Sequence, residues 1–142
     1  LLTVISKVDL ICINEEEVIQ LSNCENINQG VKQIIKMGPK FLVVKRGEYG
    51  ATLYSGNANF SCVTFKVKNV IDPTGAGDSF AGGFAGYLAE KKDYTFHSIS
   101  KALIYANAVA SFSVEKFGVE NMIEISKKEI NNRINSIKKH NN

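Results

Sequence analysis

Apolar and polar positions along the chain switch between a strand period and a helix period. The run VDLICI at residues 8–13 is short, apolar and β-branched and stops at Asn14, which predicts a buried strand followed by a helix cap. Glu15, Glu16 and Glu17 then fill a first helical turn, where the helix dipole favours acids, ahead of Val18, Ile19 and Leu21. Ile27, Val31, Ile34 and Ile35 recur at three- and four-residue steps until Gly38-Pro39 stops them, predicting an amphipathic helix over 27–37. FLVV at 41–44 predicts a second buried strand, which closes on a glycine-bracketed turn from Lys45 to Gly50. Residues 51–54 and 59–65 predict two more strands around Ser55-Gly56-Asn57, so the middle of the chain is expected to be antiparallel. Past a loop at 72–78, helices are expected over 79–91 and about 95–114, both deeply buried. A last one is expected over about 126–138, with Ile130, Ile134 and Ile137 on one face and His140, Asn141 and Asn142 frayed. The order predicts an α/β chain with a mainly parallel sheet between helices and an antiparallel hairpin region.

Composition narrows the functional classes. With 142 residues, 44% hydrophobic and 22% charged, the chain is expected to form one folded domain rather than a disordered or disulfide-packed one. A net charge of +3 is too small to argue for a nucleic-acid surface. Lys127-Lys128 and Lys138-Lys139 lack neighbouring aromatics and read as solvated faces. No run approaches the roughly 20 apolar residues that span a bilayer, so no membrane partner is expected. Cys12, Cys24 and Cys62 form no CxxC or Cys/His pattern, which argues against disulfides and zinc and for a reducing, cytoplasmic setting. The start at Leu1 has neither an initiator Met nor the order of a signal peptide, so further sequence is expected upstream. His97 and His140 have no partner motif and are given no role.

The densest cluster of special residues is Asp72-Pro73-Thr74-Gly75-Ala76-Gly77-Asp78. If a helix starts there, its first N–H groups lack partners, and the glycines let an anionic oxygen approach them closely. A carboxylate at Asp78 would repel a resident phosphate, but it could orient a hydroxyl for attack on a γ-phosphate whose developing charge the Gly75, Ala76 and Gly77 amides hold. The alternative is a capped turn with Asp78 as an ordinary first-turn acid. No GxxxxGK[ST] loop is present, and a GxGxxG fingerprint from Gly75 fails at Phe80. Gly82, Gly83 and Gly86 fall inside the next helix, where each costs about 1 kcal/mol relative to Ala, so close packing is the expected compensation.

The stretch DPTGAGDSFAGGF at residues 72–84 resembles the C-terminal signature of the ribokinase-like (PfkB) carbohydrate kinases. In the same order, Asn14-Glu15-Glu16-Glu17 resembles the family's NxxE motif and residues 45–50 (KRGEYG) its nucleotide-side KxGxxG turn. Ala106-Asn107-Ala108 with residues 114–118 (VEKFG) resembles its closing nucleotide segment. The resemblance implies the C-terminal part of a three-layer α/β/α ribokinase-like fold. Residues 1–142 would be the ATP-binding and catalytic portion, without the amino-terminal portion that carries the lid and grips the acceptor.

The same resemblance implies transfer of the γ-phosphoryl group of MgATP to a hydroxyl of a sugar or nucleoside, with Asp78 as base and Gly75, Ala76 and Gly77 as anion hole. It implies ATP contacts from Lys45, Gly47, Gly50, Thr74 and Asn107, and Mg²⁺ organised by Asn14 and Glu17. A K⁺ site is implied behind the anion hole at Asp72, Thr74, Ser113 and Gly118, although Pro73 stands where the family more often has Thr. A homodimer of the full-length protein, formed through the lid, also follows. From the residues alone, capping is the favoured reading of Asn14 and Glu17, an N-cap and its first-turn acid. Lys45–Gly50 reads equally as a hairpin turn, and Asn107 as a satisfied core amide. Two rival readings are a non-catalytic nucleotide-binding relative and a truncated fragment without activity of its own.

Overall fold

The structure, a computed structural model, describes residues 2–118, 120–123 and 125–141. Leu1 and Asn142, which carry the expected cut start and part of the expected frayed end, lie outside them. The chain divides into two compact units, one running to Ser61 and the other from Cys62 onward.

The first unit opens with a single-turn helix α1 (Leu2–Ile5) and strand β1 (Leu10–Asn14). Asn14 ends the strand and caps helix α2 (Glu15–Ser22): its Oδ1 accepts the Glu17 N–H at 2.8 Å while the Glu17 carboxylate accepts the Asn14 N–H at 2.7 Å. This reciprocal box satisfies two amides that a helix start otherwise leaves unpaired. Asn26 caps helix α3 (Ile27–Lys36) by accepting from Gln29 N–H at 3.0 Å. Strand β2 (Phe41–Lys45) then lies parallel to β1, Leu10 opposite Phe41 and Asn14 opposite Lys45, because the two intervening helices supply the long crossover that parallel pairing requires.

Val18, Val31 and Ile34 from the helices pack with Leu42 and Val44, flanked by Ile11, Ile13 and Tyr54, as one core. Val43, facing the other way along β2, is also fully buried, which explains why β2 reads as a continuous apolar run rather than an alternating one. The two helices approach closely at Gly30, where a Cβ would lie 2.7 Å from Val18 Cγ1. After a 3₁₀ turn (Gly47–Tyr49), β3 (Ala51–Ser55) runs back antiparallel to β2 and β4 (Ala58–Cys62) follows across a two-residue turn. The order β1-β2-β3-β4 leaves β1 at an edge, and parallel pairing among the described strands is confined to β1 and β2. Short connections impose the antiparallel remainder. The expected strand over 59–65 ends at Cys62; Val63 instead gives its N–H to Asn141 Oδ1 at 3.1 Å.

In the second unit, helix α4 (Ala76–Lys91) and helix α5 (Phe96–Ser113) form a hairpin. Lys92 turns it at φ 52°, and Thr95 caps α5 by accepting from Ser98 N–H. Helix α5 is buried almost throughout, as its Ala-rich composition predicts. Helix α4 is not: Phe80, Phe84 and Leu88 bury one stripe, while Ala81, Gly82, Ala85, Gly86 and Ala89 stay exposed. After a short α6 (Glu120–Ile123), helix α7 (Lys127–His140) starts from a Ser126/Glu129 capping box and packs on α5, with Ile137 1% exposed. His140 and Asn141, expected to fray, are held: α7 continues to His140, and Asn141 accepts the Val63 N–H. No helix among the described residues is long and apolar enough to cross a membrane.

Of the three helical glycines expected to be packed, only Gly83 is: a Cβ there would lie 3.1 Å from Val109 Cβ, whereas Gly82 and Gly86 have nothing within 4 Å. In urea denaturation, Gly82→Ala and Gly86→Ala should each add about 0.5–1 kcal/mol of stability by restricting the unfolded chain and favouring the helix. Gly83→Ala should lose that gain to the clash with Val109.

Candidate functional site

Helix α4 begins earlier than its apolar pattern suggests, at Ala76 rather than Ser79, because Gly75 takes a left-handed conformation (φ 80°) that turns the chain straight into the helix. Asp72 builds the approach: its carboxylate accepts the Thr74 N–H at 2.9 Å. That bond holds the Asp72 carboxyl below its ordinary value. Ala76 donates to Pro73 O at 3.2 Å and Ser79 to Gly75 O at 2.9 Å. The N–H groups of Gly75, Gly77 and Asp78 therefore remain without a partner among the described residues, whereas Ala76, expected to join them in an anion hole, is engaged. Gly75 as N-cap has no side chain to offer. Asp78, third residue of α4, is exposed and makes no hydrogen bond or ion pair with the described residues, so it is not a capping acid.

The loop is anchored from behind. Val114 O, at the end of α5, accepts Ile71 N–H at 2.8 Å and Asp72 N–H at 3.3 Å. This brings Asp72, with Thr74 bonded to it, to the end of α5 at Val114, next in sequence to Ser113 of the expected K⁺ set. Ser113 is buried and donates its hydroxyl to Ala110 O at 2.9 Å, and Gly118 lies in a turn at φ 66°. The anchoring carbonyl carries no signal in the sequence, since any residue at position 114 would supply it.

In the first unit, the expected Mg²⁺ and nucleotide residues collect at the carboxyl ends of β1 and β2, where open α/β sheets present ligand sites. Asn14 and Lys45 are register partners, and Arg46 Nε contacts Glu15 Oε1 at 3.2 Å, tying the turn to the start of α2. Gly47 (φ 55°) and Gly50 (φ 94°) shape that turn, with Gly50 N–H bonded to Gly47 O. Asn14 and Glu17 serve the cap, which leaves Glu17 one carboxylate oxygen, Oε1, outside it. Among the described residues no group of three or more His, Cys, Asp or Glu could hold a metal. The donor set therefore fits Mg²⁺ only in the manner usual for that ion, with waters and phosphate oxygens completing the shell.

Asn107 is 4% exposed and gives its amide to Leu103 O at 3.1 Å, so its geometry is that of a core amide. It also lies beside Cys62, whose thiol burial pushes up to about 11. Cys12 is likewise pushed up to about 11 by burial, so both are poor nucleophiles near neutral pH. A cavity of about 340 Å³ lies elsewhere in the second unit, lined by Tyr87, Lys101, Tyr105, Lys127, Ile134 and Lys138 among others. It includes none of the 72–78 residues.

The family model described as pfkB family carbohydrate kinase matches residues 1–126. The chain belongs to that family. A cytidine kinase from Thermococcus kodakarensis is 36% identical over 86 residues, covering 59% of this chain and 31% of that protein. A ribokinase from Dictyostelium discoideum is 34% identical over 131 residues, covering 80% and 40%. Arabidopsis thaliana ribokinase, solved as a complex with ribose and ATP, superposes with a TM-score of 0.79 at 27% identity, covering 94% of this chain and 43% of that one. The fold is ribokinase-like, and the chain spans less than half the length of the curated relatives it matches.

The Asp72 bond has a pH signature. Because the folded carboxyl lies below its unfolded value of 3.8, its contribution is complete above about pH 5 and disappears as the pH falls through the folded value. The stability gap between the parent and Asp72→Ala, read by urea unfolding, should therefore be present at about pH 6 and narrow as the pH falls below the ordinary carboxylate range. A gap that does not narrow would place Asp72's contribution outside its carboxylate.

Proposed function

We propose that the chain is the ATP-side, C-terminal portion of a cytoplasmic kinase that transfers the γ-phosphoryl group of MgATP to a hydroxyl of a sugar or nucleoside. The acceptor-binding and lid portion, with any dimer contact, would be supplied by sequence outside residues 1–142. The observation that carries the reading is the start of α4: N–H groups of Gly75 and Gly77 without a partner among the described residues, beside an exposed Asp78 carboxylate that none of the described residues engages. Family membership supports the reaction class. A nucleoside stands beside a sugar as acceptor, since relatives at 36% and 34% identity are named for both kinds.

In this reaction Asp78 accepts the proton of the attacking hydroxyl, and the Gly75, Gly77 and Asp78 amides donate to the charge developing on the transferred group. Ala76 joins them if an incoming oxygen displaces Pro73 O, the longer of the two bonds at the helix start. Lys45, Gly47 and Gly50 would be the first unit's contacts to the nucleotide, and Thr74 and Asn107 the second unit's. Glu17, steadied by Asn14, would take part in holding Mg²⁺, which neutralises phosphate charge when bound. Asp72, Thr74, Ser113 and Gly118 would hold K⁺ through oxygen donors.

Three measurements test this. The chain alone should bind MgATP weakly in calorimetry and fail to phosphorylate sugars or nucleosides, because positioning the acceptor lowers the barrier by roughly 7–11 kcal/mol and needs the missing portion. In a polypeptide joining this chain to an acceptor-binding portion, Asp78→Asn should lower kcat about a hundredfold or more with no loss of MgATP affinity. Near-normal turnover would remove Asp78 as the base. In that same polypeptide Glu17→Gln should raise the Mg²⁺ concentration needed for half-maximal activity while leaving the melting temperature in place, because Gln keeps the acceptor oxygen of the cap. A fall in melting temperature with unchanged Mg²⁺ dependence would make Glu17 structural alone.

A further inference from the structure

Arg133 lies on α7, outside residues 1–126 that the family model matches, and is the most heavily engaged cation among the described residues. Its guanidinium donates from Nη1 to Ser111 Oγ at 2.7 Å and from Nη2 to Glu115 Oε2 at 2.5 Å. Its Cζ lies 3.4 Å from the centroid of the Phe112 ring and 4.6 Å from that of Phe65. The side chain is 13% exposed, and an Arg this desolvated is held by geometry as much as by charge: a flat fork stacks on rings and bonds two acceptors at once. A surface ion pair would contribute little, but this one is mostly withdrawn from solvent and its cation lies against two aromatic rings.

What Arg133 grips is the end of α5. Ser111, Phe112 and Glu115 bracket Val114, whose carbonyl accepts the N–H groups of Ile71 and Asp72. Asp72 in turn fixes Thr74, two residues before the start of α4. A continuous set of contacts therefore runs from α7 through the α5 terminus to the Gly75–Asp78 turn. Phe65 extends the grip to the irregular segment that leads into Ile71.

We propose that Arg133 is a positioning residue for the phosphate loop: by clamping residues 111–115 from α7 it fixes the Val114 carbonyl, and through it the backbone of Ile71 and Asp72 and the start of α4. The C-terminal helix is then part of the nucleotide site's support rather than an appended cover. The link to nucleotide rests on the function proposed above, and the clamp itself does not.

The test combines site-resolved amide exchange with MgATP calorimetry on the 142-residue chain, comparing the parent with Arg133→Met, Arg133→Lys and Glu115→Gln. Arg133→Met keeps much of the stacking volume and loses both hydrogen bonds; Arg133→Lys keeps the charge and loses the fork. Exchange at Ile71 and Asp72 should rise about tenfold or more in both Arg133 variants, and less in Glu115→Gln, while the middle of α4 exchanges as in the parent. The amide resonances of Gly75, Gly77 and Asp78 should shift, and MgATP affinity should fall about tenfold without rescue by Lys. Unchanged exchange at Ile71 and Asp72 overturns the clamp whether or not nucleotide binds. Uniformly faster exchange along α4 and α5 in all three variants also overturns it, since Arg133 would then be a general stability contact. Faster exchange at the two amides with parental MgATP affinity overturns the link to the loop. A parent that binds no MgATP counts against the proposed function, while the exchange result still decides the clamp.

Discussion

Gly75 is the constraint on which the second unit depends. The chain reaches it from a segment without regular structure and leaves it as a sixteen-residue helix, and the change of direction is made at one residue with φ 80°. An L side chain is strained there, so the turn needs glycine. Two consequences follow from one backbone angle. The phase of α4 is set, which places Phe80, Phe84 and Leu88 on the buried stripe and Asp78 off it. The helix also starts without a side-chain cap, so the amides that Ser or Asn would satisfy elsewhere in this chain are left open.

The contrast with the other helices shows what could be read from the sequence. Asn14 with Glu17 is a local pattern three residues apart and forms a capping box; Ser126 with Glu129 has the same spacing and forms another, though no cap was expected there. The buried run at β2 and the apolar face of α3 were equally legible, because burial and periodicity are properties of neighbouring residues. The start of α4 was misplaced because glycines mark a loop by composition, and only the backbone angle at Gly75 shows that Ala76 and Gly77 already belong to the helix. Gly83 could not be told from Gly82 and Gly86, since what separates them is Val109, twenty-six residues away. The fate of residues 63–65 and of the tail turned on a contact between Val63 and Asn141 that spans 78 positions.

The candidate site was legible in its residues and not in its support. The motif at 72–78 stands out by composition, but Val114 enters through a backbone carbonyl and Arg133 looks like any polar residue between Ile130 and Ile134. Asn107 shows the two readings side by side: its motif position suggests a ligand contact, and its amide donates to the Leu103 carbonyl one turn back. At Glu17 the capping role and the proposed metal role do not compete for the same atom, because the box uses Oε2 and leaves Oε1, whereas Asn14 Oδ1 is already the cap acceptor. A cap of this kind also fixes the rotamer of Glu17, which is what a group that orients water around an ion needs.

The sign of the charge at the helix start bears on what such a site is for. A helix terminus built to retain phosphate would add a Lys or Arg, whereas here the side chain beside the open amides is Asp78. Its charge weakens the hold on any resident phosphate, and the cost is useful only if the carboxylate does something else. In the proposed reaction it does, since the negative charge is partly discharged as Asp78 takes the hydroxyl proton while charge on the transferred group grows. Repulsion present in the ground state thus relaxes toward the transition state, and the amides of Gly75 and Gly77 strengthen their bonds over the same path. An arrangement that binds the starting anion poorly and the reacting one better favours transfer over storage, and it favours release of the phosphorylated product once the proton has left Asp78 again.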